Sequence, residues 1–169
     1  QLAATGMLRS AAMSGNGEET ILAATAVLAD AKVTPELESE ARHYRAKALV
    51  AANQLQHAVA DWEVLAKDTR NAYGAEAKYR LAQHLFDSGK LDKVEEAVFE
   101  FVDAGTPHSY WLARAFVLMS DTYAKLDRKL EARQYLLSLK QNYQADDDIA
   151  GMIESRLENL KEEKQPVTE

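Results

Sequence analysis

The chain has 169 residues, 47% hydrophobic and 28% charged, with no cysteine and a net charge of −7. That length supports one or two domains with a sizeable core, and the composition is that of a folded chain rather than a disordered one. The lack of thiols excludes a disulfide scaffold, a thiolate zinc site and a cysteine nucleophile, the charge argues against a general nucleic-acid or anionic-membrane binder, and no apolar run approaches the roughly 20 residues of a membrane span.

The charge is unevenly placed. Asp146 to Glu169 carries 8 acidic and 3 basic residues, which is −5 of the total, so the body is close to neutral. The chain opens on Gln1 directly in helix-like sequence, without an initiator Met or a signal peptide. This points to an excised piece or mature fragment, with any targeting sequence out of view.

Taken in order, the periodicity predicts nine helices and no strand. The first runs from Leu2 to about Met13 and is followed by a turn at Ser14-Gly15-Asn16-Gly17. The second, Glu18 to about Ala31, places Ile21, Leu22, Ala24, Val27 and Leu28 on its apolar side. Thr34-Pro35 then offers an N-cap before a proline at the first helical position, with Glu36 and Glu38 suited to the positive helix end. The third helix reaches about Ala52, Asn53 turns the chain, and the fourth (Leu55 to about Lys67) carries Leu55, Ala58, Val59, Trp62 and Leu65 inward.

After Asn71 to Gly74, the stretch Ala75 to Pro107 reads as two amphipathic helices around Ser88-Gly89-Lys90. Gly89 falls where a helix end needs a positive φ. Thr106-Pro107 repeats the earlier start signal for a seventh helix to about Lys125, with Trp111, Phe116, Met119 and Tyr123. A turn at Asp127-Arg128 leads to an eighth that buries Leu130, Ala132, Leu136 and Leu139. The ninth, residues 147–163, starts in an acidic cluster and carries Ile149, Met152, Ile153, Leu157 and Leu160 as a narrow stripe. A disordered tail is expected over residues 164–169.

Aligned on their turns, the hairpins repeat. Gly89-x-Leu91-x₂-Val94-x₃-Val98-x₂-Phe101 matches Asn53-x-Leu55-x₂-Ala58-x₃-Trp62-x₂-Leu65 and Asp127-x-Lys129-x₂-Ala132-x₃-Leu136-x₂-Leu139, at offsets of 36 and 38 residues. Upstream, Leu81-Ala82-x₂-Leu85 corresponds to Arg45-Ala46-x₂-Leu49 and Met119-Ser120-x₂-Tyr123. A weaker copy with Ala11 and Ala23 at the small positions precedes these by 35. Small residues at fixed points let paired helices approach, and large ones fill the gap to the next hairpin.

This pattern resembles the tetratricopeptide repeat family, whose unit is a helix–turn–helix of about 34 residues. The resemblance covers nearly the whole chain, as one domain over residues 1–163 with units near 4–37, 39–72, 75–108 and 113–146 and the ninth helix as a cap. No copy keeps the family's Leu-Gly pair, the aromatic of the first helix is often missing, and an insertion at His108-Ser109-Tyr110-Trp111 should lengthen the seventh helix at its start. The wording of TPHSYWLARAFVLMSD and YGAEAKYRLAQ is also similar to tetratricopeptide segments of large envelope-associated proteins in Bacteroidetes. That implies a periplasmic or outer-membrane-associated location, with a cytoplasmic one left open.

The resemblance implies an all-α, right-handed α-α superhelix whose first helices line a concave face. In this register the face carries Arg9, Met13, His43, Tyr44, Lys47, Tyr79, Arg80, Gln83, Phe86, Arg114, Leu118 and Asp121. One interpretation packs Tyr44, Tyr79 and Phe86 between repeats and leaves the charges solvated. The other is a peptide groove, with aromatic surface for affinity and Arg9, Lys47, Arg80 and Arg114 selecting acidic groups. The Lys/Asn clamp by which related domains hold a chaperone's C-terminal carboxylate is not matched at Lys47, Arg80 and Arg114, so that ligand is not expected.

No catalytic or metal motif emerges. His43, His57, His84 and His108 form no His-x₃-His pair, Asp146-Asp147-Asp148 suits a helix start, and Gly15 and Gly17 lack the rest of a phosphate loop. Trp62 and Trp111 read as core anchors. The expectation is a non-enzymatic interaction scaffold without a cofactor, taking a protein or peptide partner. The alternative is a self-assembly module that receives another copy of the chain.

Overall fold

A computed structural model describes residues 2–161. Among these residues the chain is all helical: α1 (Leu2–Ser14), α2 (Gly17–Leu28), α3 (Pro35–Ala51), α4 (Leu55–Leu65), α5 (Ala72–Asp87), α6 (Leu91–Ala104), α7 (Ser109–Lys125), α8 (Lys129–Asn142) and α9 (Ile149–Asn159). None of these helices is long and apolar enough to cross a membrane.

The helix boundaries have local causes. Asn16 accepts a hydrogen bond from the Glu19 amide at 3.2 Å, and Thr34 accepts one from the Leu37 amide at 3.3 Å with Pro35 at the first helical position. Each satisfies an amide that the first helical turn leaves without a partner. At the other ends one device recurs four times. Gly15, Asn53, Gly89 and Asp127 take φ values of 74°, 56°, 74° and 59°. The amide that follows each one donates five residues back: Asn16 to Ala11 (3.1 Å), Gln54 to Leu49 (2.8 Å), Lys90 to Leu85 (2.9 Å) and Arg128 to Tyr123 (2.8 Å). This left-handed stop caps the C-terminal carbonyls and reverses the chain into the next helix. Asn and Asp tolerate that conformation better than other non-glycine residues, which is why they stand in for Gly at two of the turns.

The residues form two compact units. One comprises the chain up to Leu81 together with Ala104–His108, and the other comprises Ala82–Asp103 and the residues from Ser109 onward. In the first unit, Leu8, Ala23, Ala24, Val27 and Ala41 form a core beside Leu37 and Tyr44. Ile21 of α2 packs with Ala46, Leu49 and Ala58 of α3 and α4, and Trp62 joins that cluster to Leu65, Ala66 and Ala77. Asp61 lies buried at 1% exposure. It accepts from Arg45 Nε (2.8 Å) and Nη2 (2.7 Å) and from Arg42 Nη1 (3.1 Å). Arg45 also donates to Thr25 of α2 at 3.2 Å. A carboxylate with two guanidinium partners is one of the few forms in which charge is stable inside a core. Two loops are clipped together as well. Thr69 donates to the Gly105 carbonyl (2.6 Å) and Thr106 donates to the Thr69 carbonyl (2.7 Å).

In the second unit Val94, Val98 and Phe101 of α6 are buried, as are Ala132, Leu136 and Leu139 of α8. Helix α9 closes this unit against α7 and α8, with Ile149 and Ile153 in a core beside Ala113, Val117 and Leu136.

Several boundaries and orientations differ from the sequence expectation. Helix α5 starts at Ala72 because Asn71 accepts from the Tyr73 amide at 2.8 Å, so Gly74 lies inside the helix rather than in the turn. A Cβ on Gly74 would stand 1.9 Å from the Asp68 carbonyl oxygen, so the backbones approach there as only glycine permits. Helix α7 starts at Ser109, since Thr106 is engaged with Thr69, and its 17 residues equal those of α3 without the expected lengthening. Helix α9 starts at Ile149, whose amide donates to Asp147 at 2.9 Å, and it ends at Asn159. Leu160 and Lys161, expected within the helix, lie beyond its end, and the rest of the expected extension to Glu163 and the tail 164–169 lie outside the described residues. Leu22, Leu55 and Leu130 are exposed, not inward. Leu130, for example, sits about 200° around the helix from buried Ala132.

Candidate functional site

The surface of α3 next to α4 and the start of α5 holds a cavity of about 310 Å³ lined by His43, Lys47, Val50, Trp62, Glu76 and Arg80. Helical spacing places these groups. His43, Lys47 and Val50 follow one another at i, i+4 and i+7 along α3, and Glu76 and Arg80 stand four apart on α5. Trp62 comes from α4 and forms an apolar wall with Val50.

The charges on the wall differ in freedom. Arg80 donates from Nε (3.2 Å) and Nη2 (3.1 Å) to Glu76 Oε1. The other Glu76 oxygen lies 3.7 Å from His43 Nδ1. Lys47 makes no ion pair or hydrogen bond among the described residues, so its ammonium is the uncommitted donor of the pocket. His43 is stacked on Tyr73 with centroids 4.1 Å apart and rings within 17° of parallel, while Tyr44 meets its edge at 5.4 Å. Burial holds the His43 pKa below the usual histidine range, Glu76 partly opposes this, and Lys47 and Arg80 add to it. The imidazole is therefore neutral near pH 7, and the pocket's net cationic character comes from Lys47.

The other residues expected on this face have varied surroundings. Arg9 grips Glu40 with Nε (2.7 Å) and Nη2 (2.8 Å), an ion pair that keeps the Glu40 carboxyl below the ordinary range. Tyr44 packs against the α1–α2–α3 core, and Tyr79, 3% exposed, is a core residue with the Arg80 guanidinium 5.6 Å from its ring centre. Four candidates belong to the second unit. Gln83 donates to Asp87 at 2.9 Å, and Phe86 carries the Lys125 ammonium 4.7 Å from its ring centre. Arg114 donates to the Tyr110 hydroxyl at 3.1 Å, and Asp121 accepts both arms of Arg156 at 2.7 and 2.9 Å. Leu118 is buried, whereas Met13 is exposed.

The structure thus brings His43, Lys47 and Arg80 together, and adds Trp62, Val50 and Glu76 to them. The i, i+4 relation of Glu76 to Arg80 was present in the sequence, but a glutamate beside an arginine on a helix usually marks only a solvated face. Among the described residues, no group of three or more His, Asp or Glu side chains is placed to hold a metal ion. No protein-family model, curated protein or solved structure matches the chain.

Proposed function

We propose that this chain is a tetratricopeptide-like α-solenoid that acts without catalysis, binding an acidic peptide segment of a protein partner on the surface formed by its first-of-pair helices. The observation that carries the proposal is Lys47, whose ammonium makes no ion pair or hydrogen bond among the described residues and which lines one pocket with Trp62, Val50 and the Glu76–Arg80 pair. A carboxylate on Lys47 would gain a charge-assisted hydrogen bond, and an adjacent apolar side chain would cover Trp62. The four identical left-handed turns support the repeat architecture on which this placement depends. The second helix of each pair carries its buried residues in the same register, Ala58, Val94 and Ala132 being equivalent.

The test is an array of acidic peptides screened against the wild-type chain and against Lys47→Glu combined with Arg80→Glu. A charge-assisted contact is worth roughly 1.5–3 kcal/mol, so the double variant should weaken the best peptides about tenfold or more while circular dichroism stays unchanged. Equal binding by both proteins would remove the pocket from consideration, and turnover of a bound substrate would contradict the non-catalytic assignment.

A further inference from the structure

The crest of α3 separates two recesses, and Lys47 stands on it. At about 100° per residue, His43 and Val50 fall roughly 40° and 60° to one side of Lys47, and Ala51, Tyr44 and Ala48 fall roughly 40°, 60° and 100° to the other. The first flank opens into the cavity of about 310 Å³ described above. The second opens into one of about 190 Å³, where Tyr44, Ala48 and Ala51 face Ala12, Gly15 and Gly17 at the α1–α2 turn. Both recesses lie between consecutive hairpins of the first unit, and Lys47 lines both.

The smaller recess owes its shape to the turn. Gly15 is held at a φ of 74° by the left-handed stop, a conformation that disfavours a side chain. A Cβ on Gly15 or on Gly17 would meet nothing within 4 Å, so the space beside them is unfilled. Thr20 also borders this recess, but its hydroxyl already donates to the Asn16 carbonyl at 2.7 Å. Lys47 is the one charged side chain in this lining. In the larger recess Glu76 and Arg80 neutralise each other, while Trp62 and Val50 supply apolar surface. An uncommitted ammonium therefore stands between two apolar recesses.

We infer that Lys47 and the two recesses form one bipartite site for an extended peptide of the pattern apolar-x-acidic-x-apolar, with the carboxylate on Lys47 and one apolar side chain in each recess. This deepens the peptide-binding reading above and rests on it. The spacing follows from the width of α3. A helix with its side chains is about 10–12 Å across, so each flank lies about 5–6 Å from the crest. An extended chain rises about 3.3 Å per residue and turns every second side chain to the same face. Residues two positions before and after the carboxylate thus reach the flanks, about 6.6 Å away, and point the same way. The recess walled by Trp62 takes the larger apolar side chain, and the one walled by Ala and Gly takes a Val-sized one. A basic residue at the centre would meet the Lys47 ammonium, so charge selects against it.

The test is isothermal titration calorimetry with Trp-Ser-Glu-Ser-Val and Val-Ser-Glu-Ser-Trp, each flanked by Gly-Ser and blocked at both ends, which covers both chain directions across α3. One of the two should bind, and replacing its Val by Ser should weaken it about tenfold. Ala48→Leu fills the smaller recess. It should weaken the intact peptide by a similar factor and leave the Ser-substituted peptide unchanged, as expected of two groups that meet. Gly17→Leu repeats the measurement from the opposite wall, with circular dichroism confirming that each variant folds. If the Ser replacement and both variants leave affinity unchanged while Lys47→Glu with Arg80→Glu abolishes binding, the larger recess acts alone and the bipartite site is overturned. If neither peptide binds at up to about 1 mM, the inference also falls. The underlying peptide-binding reading falls with it only where the acidic array returns no binder either.

Discussion

The first two hairpins of the chain share a turn and a small-residue register yet differ in what lies on their outer faces. On α3–α4 the face is buried under α2 and holds a paired carboxylate, while on α1–α2 it is open and apolar. The repeat specifies backbone contacts, namely where a helix must stop and where two helices must come close. It does not specify the chemistry of the faces, which differs between these two hairpins.

Glycine substitutions sharpen this contrast most strongly. Gly74→Ala places a methyl group against the Asp68 and Leu65 carbonyls, at 1.9 and 2.6 Å, and neither backbone can yield cheaply. Urea unfolding should show a loss on the order of 4 kcal/mol or more, or no folded protein. Gly6→Ala is the same chemical change in an uncovered helix, and it should stabilise the fold by roughly 0.5–1 kcal/mol through helix propensity. If both variants were destabilised alike, covered and uncovered faces would not differ as described.

Next in size is Asp61→Ala. It removes the carboxylate shared by Arg42 and Arg45, which keep Glu38 and Thr25 respectively, and their side chains are about one-fifth exposed, so some of the penalty is relieved. A cost of roughly 2–4 kcal/mol in chemical denaturation is expected, below the full value for an entirely buried pair. The equivalent change on the open hairpin, Ala26→Ser, should be nearly neutral.

The smallest effect concerns pH. His43 has its pKa depressed in the folded state, so the unfolded chain binds the proton first as acid is added. Its contribution to stability is complete above the ordinary histidine value of about 6.5 and declines as the pH falls below it. Denaturation midpoints measured between about pH 7 and 5 should fall more steeply in the wild type than in His43→Gln. The groups that act on this imidazole are Glu76, Lys47, Arg80, Tyr73 and Tyr44, and all five stay in place in that variant. Parallel curves would show that His43 is not titrating as described.

Much of the helical architecture was legible because its signals are local. Asn53, Gly89 and Asp127 mark left-handed stops, Thr34-Pro35 marks a start, and the Ala58, Val94 and Ala132 register marks the buried line. What was not legible depends on contacts distant in sequence. Gly74 resembled a turn residue, since nothing nearby indicates the carbonyls of Leu65 at the end of α4 and Asp68 in the loop after it. Leu22 and Leu130 counted as core by hydrophobicity alone, although the small residues Ala23 and Ala132 hold the buried positions. Of the pocket, His43, Lys47 and Arg80 were foreseen by register. Glu76 and the turned-out face of Trp62 follow only from how α4 and α5 are placed beside α3.

The most direct measurement of the peptide-binding assignment is a ¹H–¹⁵N titration of the chain with the best acidic peptide from the array. The account predicts that the Trp62 indole and the amides around His43, Lys47, Val50 and Arg80 shift together and saturate, while Trp111 does not. Saturable shifts confined to other surfaces, or no shifts at any concentration, would contradict it.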